Sequence, residues 1–196
     1  MKIAYIIFDG VTWLDFIGVY DAVGRLKSMG YMKDLSWDIC SMNSDTASDN
    51  FGLKIVADKV GMLLDSYDAI VVPGGHGTRT LINDENFINW IKTARDVKYK
   101  MSVCTGSLLL GAAGFLQNKK ATTNFLEYET LRPYCAEVLK ERLVVDGNTI
   151  TAGAVSSSLD LGLYLCEKWA GREAREVIQQ RMDYHPEKKE RAEGRS

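Results

Sequence analysis

Two uninterrupted apolar runs, Ile3 to Phe8 and Ala69 to Val72, each stop abruptly at a glycine-bearing turn, Asp9-Gly10 and Pro73-Gly74-Gly75. A strand with one wet face alternates apolar and polar residues. Runs this continuous and this rich in β-branched side chains predict strands buried on both faces, as in a parallel sheet covered by helices. The helices such a sheet needs are also present. Apolar residues recur at helical spacing from Phe16 through Val19, Tyr20, Val23 and Leu26, with Gly30 as the stop. A second strand is expected over 35–42, an amphipathic helix over 86–94, and a short strand over 100–103 that runs into Cys104. The almost wholly apolar segment 107–113 reads as a buried helix. Residues 143–151 read as a hairpin turning at Asp146-Gly147-Asn148, and 157–169 as a buried helix with Ser156 or Ser157 near its cap. The polar, glycine-containing stretch 43–58 reads only as minor strands or a connection.

Repeated strand-helix units imply an α/β fold, with a mostly parallel sheet and helices on both faces. A chain of 196 residues can complete one hydrophobic core, so a single domain over 1–196 is expected, with the charged stretch from Tyr184 onward as a surface tail. The formal charge of -2 gives no basis for a nucleic-acid partner. No secretory leader is evident, and no segment reaches the roughly 18 apolar residues of a membrane span. A soluble, cytoplasmic protein is therefore expected. Cys40, Cys104, Cys135 and Cys166 show no C-x-x-C spacing, which predicts free thiols rather than zinc ligands or a disulfide framework. No metal or organic cofactor is called for.

The chemistry-bearing feature is Ser102-Val103-Cys104-Thr105-Gly106, a cysteine flanked two residues away on each side by a small residue, after a strand and before a helix. This spacing predicts an elbow that strains the backbone at Cys104 and projects its sulfur over the sheet edge. A helix N-terminus there would favour thiolate and lower the thiol pKa. The competing reading is a small buried core residue, which also accounts for Cys40 and Cys166. Pro73-Gly74-Gly75-His76-Gly77 falls at the same carboxyl end of the sheet, where its amides can approach a substrate. The Gly75 and Thr105 amides are candidate oxyanion donors, or the glycines form an ordinary turn. Of the two histidines, His185 reads as a surface residue, and His76 as either a site participant or a solvated loop residue. Asp15 interrupts the apolar run Trp13-Leu14-Asp15-Phe16-Ile17, as an acid beside the thiol or as a helix N-cap.

In their order, Phe8-Asp-Gly-Val-Thr-Trp-Leu-Asp15-Phe-Ile-Gly18, Val72-Pro-Gly-Gly-His-Gly77, Val103-Cys-Thr-Gly-Ser107 and Ala121-Thr-Thr123 resemble the DJ-1/PfpI superfamily. The resemblance implies a flavodoxin-like, glutamine-amidotransferase-like three-layer sandwich and a homodimer. Within the superfamily, Asp15 with Cys104 and Thr105 is most similar to the isocyanide hydratases, whose functional Asp, Cys and Thr map onto these three positions. The resemblance implies hydration of a small-molecule isocyanide to an N-formamide through a thioimidate on Cys104, with Gly75 and His76 at the substrate. The superfamily also contains amidases or proteases, glyoxalase-like enzymes and cysteine-based oxidative-stress sensors. Its usual Ala-Thr-Thr-His-Trp reads Ala121-Thr-Thr-Asn124-Phe125 here, which removes the histidine a Cys-His dyad would use.

Overall fold

The computed structural model describes residues 1–185. β1 (Lys2–Ile6) leads through α1 (Trp13–Ser28) to β2 (Ser36–Ser41), the small antiparallel hairpin β3 (Thr46–Ser48) and β4 (Lys54–Val56), and the short β5 (Lys59–Val60). β6 (Ala69–Val72) is followed by α2 (Thr78–Leu81) and α3 (Glu85–Lys92). β7 (Tyr99–Val103) is followed by α4 (Gly106–Ala112), β8 (Lys120–Ala121), α5 (Tyr128–Leu131) and β9 (Glu137–Val138). The hairpin β10 (Leu143–Asp146) and β11 (Thr149–Ala152) then enters α6 (Ser157–Ala170) and α7 (Arg172–Arg181).

Seven strands form one sheet in the order β10-β11-β7-β6-β1-β2-β5, parallel throughout except for the edge strand β10. From β1 the chain steps to β2 on one side, whereas β6, β7 and β11 add on the other. With right-handed crossovers, this reversal puts α1 on one face and α3 and α4 on the opposite one. α6 and α7 close against α1. The fold is thus the expected flavodoxin-like sandwich, and its strand order reverses between β1 and β6, where open α/β sheets bind ligands. All of β6 and Ile3 through Ile6 are buried, as the unbroken apolar runs require.

The stretch 43–58 is better ordered than its composition suggests. Asp49 Oδ1 accepts the N–H groups of Phe51 and Leu53, both at 2.9 Å, and so folds the β3–β4 turn from within. Tyr184 is not part of a loose tail: its hydroxyl donates to Asp160 at 2.8 Å. His185 is exposed, 3.1 Å from Asp183. The rest of the expected tail, 186–196, lies outside the described residues. Among the described residues, no helix is long and apolar enough to cross a membrane.

Candidate active site

Cys104 links β7 to α4 with φ at +53°, in the left-handed region that a side chain enters only when its surroundings compel it. Here the surroundings do so from three directions. Its N–H is shared between the carbonyls of Ala152 and Gly153, at 3.0 and 2.7 Å. Its carbonyl accepts from Ser107 Oγ at 3.1 Å and Thr123 Oγ1 at 3.0 Å. A Cβ at position 106 would overlap Val72 O and approach Pro73 O to 2.7 Å, so the small residue after the cysteine is a steric requirement of the elbow. The Cys104 side chain is left only 5% exposed.

α1 begins at Trp13, before the apolar period becomes visible, which places Asp15 in its first turn. Thr12, not Asp15, occupies the N-cap position, and the Asp15 carboxyl turns inward instead. Asp15 is 0% exposed; its Oδ2 accepts the Gly74 N–H at 2.9 Å, and its Oδ1 has no hydrogen-bond partner. Burial raises its pKa to about 7, against the opposing pulls of the Gly74 N–H and of Cys104. The Cys104 thiol also moves up, to about 11, through burial first and the Asp15 charge second; the Asn124 amide and Thr105 pull it down. This overturns the expectation of a lowered thiol pKa. The start of α4 lies inside the protein, where loss of water and the Asp15 charge outweigh what the Asn124 and Thr105 donors offer the anion.

The glycine loop is built against these two groups. Thr12 N–H donates to Gly74 O at 2.8 Å and Gly77 N–H to Gly10 O at 3.1 Å, which clamps the loop after β6 to the loop after β1. A Cβ on Gly74 would come within 2.5 Å of Thr105 N and 2.9 Å of Asp15 Oδ2. Only glycine fits there. Thr105 Oγ1 accepts the Gly75 N–H at 3.0 Å and lies 2.9 Å from Thr78 Oγ1. The Gly75 amide, expected to face a substrate, is therefore engaged within the protein. His76 is exposed.

Asn124 is the site residue that sequence reasoning passed over. Its Nδ2 donates to Cys104 Sγ at 3.4 Å. Its sequence signal is the departure from the superfamily pattern at this position, where an amide replaces the usual histidine.

The sequence profile of the DJ-1/PfpI family matches residues 1–168. An isonitrile hydratase from Pseudomonas putida is 34% identical over 188 residues, 95% of this chain and 79% of that protein. A ThiJ/PfpI family protein from Pseudomonas syringae superposes with a TM-score of 0.85 at 28% identity, over 98% of this chain and 78% of the other. Drosophila melanogaster DJ-1beta, at 17% identity, shares the fold with a TM-score of 0.80, over 94% and 98% of the two chains. From its profile, its sheet order and its relatives, this chain belongs to the DJ-1/PfpI family.

Proposed function

We propose that the protein is a cysteine-dependent hydratase that converts a small isocyanide to an N-formamide. The observation that carries this reading is the buried Asp15 carboxyl, acting directly on Cys104 and leaving Oδ1 unpartnered for a travelling proton. The similarity to an isonitrile hydratase supports it.

With both pKa values raised, the pair holds two protons in acid and one above about pH 7. The one-proton pair is the working species. As carboxylate and thiol it is at rest; when the proton crosses to Asp15, the sulfur becomes the nucleophile. Sulfur then bonds to the terminal isocyanide carbon, and the Asp15 proton goes to that same carbon, giving a thioimidate on Cys104. Water adds at this carbon, one of its protons goes to the nitrogen and the other returns to the Asp15–Cys104 pair, and the carbon–sulfur bond breaks. The net change is isocyanide plus water to N-formamide, with the enzyme restored. Thr105 acts by position: it holds the loop whose Gly74 N–H fixes the acid. A Cys-His hydrolase is disfavoured, because an amide, that of Asn124, donates to the sulfur where a Cys-His dyad would need an imidazole.

We further propose that the protein works as a homodimer. Leu14 and Ile17 are exposed on α1 beside Asp15, and Trp13 Nε1 donates to Leu53 O, which ties α1 to a turn whose Phe51 is 97% exposed. Sedimentation at micromolar concentration should give twice the chain mass, and a monomer would rule the dimer out. The activity itself is tested by incubating the purified protein with a small alkyl isocyanide and following the formamide proton by NMR. Formamide should accumulate with the native protein and not with Cys104→Ser. Folded protein that yields no formamide, or that instead turns over amides or α-oxoaldehydes, would refute the hydratase reading.

A further inference from the structure

We propose that Asn124 is a third working member of the site, a neutral donor that stabilises the Cys104 thiolate and cannot carry its proton. The first observation is the contact, Nδ2 to Sγ at 3.4 Å, within the range of a hydrogen bond to sulfur. The second is that the amide has only one consistent orientation. Its Oδ1 accepts the Leu126 N–H at 3.0 Å, at the head of the 3-10 turn over Phe125–Glu127, and its backbone carbonyl accepts the Glu127 N–H at 2.8 Å. Flipping the amide would lose the cap and turn a lone pair toward the sulfur. The preceding residue, Thr123, holds the Cys104 carbonyl, so the segment bearing Asn124 is fastened to the elbow itself.

The groups acting on the sulfur are then Asp15 from α1, the amide and hydroxyl of Thr105 at the start of α4, and Asn124. Only one of these, Asp15, titrates in the range where proteins are folded. An amide donor lowers the energy of the thiolate without competing for its proton, so the proton leaving Cys104 has Asp15 as its destination. A histidine at position 124 would offer a second base and divide that traffic. The inference rests on Cys104 as the reacting group of the proposed hydratase, and its test uses no isocyanide.

The full chain is treated with iodoacetamide across pH 6 to 10, and alkylation of the Cys104 peptide is followed by mass spectrometry, with circular dichroism to confirm folding. Asn124→Asp keeps an oxygen to cap Leu126 and replaces the donor facing the sulfur with an acceptor. Asn124→Ala removes both functions. Loss of a hydrogen bond to a charged group predicts alkylation of Asn124→Ala slower by about tenfold or more at pH 8, with the rate midpoint moved to higher pH. Asn124→Asp should be slower still, because a carboxylate beside the sulfur opposes its ionisation. A residue serving only as a cap would leave folded Asn124→Ala, and Asn124→Ser, which keeps a capping oxygen and adds no charge, alkylating at the native rate. That result overturns the proposal. Should Asn124→Ala fail to fold, Asn124→Ser decides alone, since it retains a capping oxygen, loses the donor to the sulfur and brings no charge. Loss of hydratase activity as a finding, with this order of rates intact, would leave the thiolate role standing.

Discussion

Asp15 should weaken the fold wherever it is ionised, and Asp15→Asn should therefore stabilise the protein at alkaline but not at acid pH. Burial raises the carboxyl pKa from 3.8 to about 7. Between those values the native state binds a proton that the unfolded chain has released, so stability falls as pH rises through this window. At roughly 1.4 kcal/mol per pH unit, the full penalty above pH 7 is about 4 kcal/mol. That is a large fraction of the roughly 5–15 kcal/mol by which domains are stable. Asparagine is nearly isosteric, keeps an acceptor for the Gly74 N–H and carries no charge to bury, so it mimics the protonated acid. Urea unfolding followed by circular dichroism at pH 4 and pH 8.5 measures the difference. The two proteins should have similar stabilities at pH 4, and Asp15→Asn should be more stable by several kcal/mol at pH 8.5. A difference that does not change with pH would show that Asp15 is not a raised carboxyl and would remove the acid from the proposed reaction.

The same pair sets the pH profile of turnover: formamide production per unit of enzyme should rise through an apparent midpoint near 7, as the pair loses its first proton, and this rise should be absent in Asp15→Asn. Gly18→Ala brings a Cβ to 2.8 Å from Ser158 Cβ between α1 and α6 and should cost about 1–3 kcal/mol. Because the clash is with one side chain, Ser158→Gly should recover most of that loss. Equal costs in both backgrounds, measured by a double-mutant cycle in urea, would show that the contact is not the cause. Thr105→Val strands the buried Gly75 N–H and should lower stability by about 1–3 kcal/mol, together with the formamide rate; an unchanged urea midpoint would argue against this loop acting as the support of the acid.

The parallel sheet was legible because burial on both faces writes itself into sequence as unbroken apolar runs, and Ile3 to Ile6 and Ala69 to Val72 are such runs. The elements that leave no pattern in the sequence bury little. α7 (Arg172–Arg181) fully hides only Ala174 and Ile178, four residues apart, with Val177 the one other apolar side chain in the helix, and so few marks do not make a period. β8 and β9 pair over two residues each, Lys120 with Glu137 and Ala121 with Val138, and exist because the surrounding loops bring them together. The start of α1 is hidden for a different reason: Asp15 breaks the apolar pattern at the point where the helix begins. An ionisable residue buried in the first turn violates the rule by which helices are recognised.

The elbow at Cys104 could be read locally, since its spacing is a steric matter within five residues. Its electrostatics could not. A helix start seen in sequence suggests a stabilised anion, whereas Gly106 through Gly111 are buried, so there is little water to support one. Thr105 and Asn124 supply donors to the sulfur, and together they do not offset the burial and the nearby carboxyl. Cys104 therefore does not rest as a standing thiolate, which is what the elbow alone would suggest. Cys104 and Asp15 are each reluctant to ionise, and each is reluctant partly because the other would be charged beside it. A pair of that kind keeps one proton between them over a broad range above neutrality. In the proposed hydration the same proton leaves the sulfur as it attacks and is delivered to the carbon that is attacked, which is what addition across a single carbon atom requires.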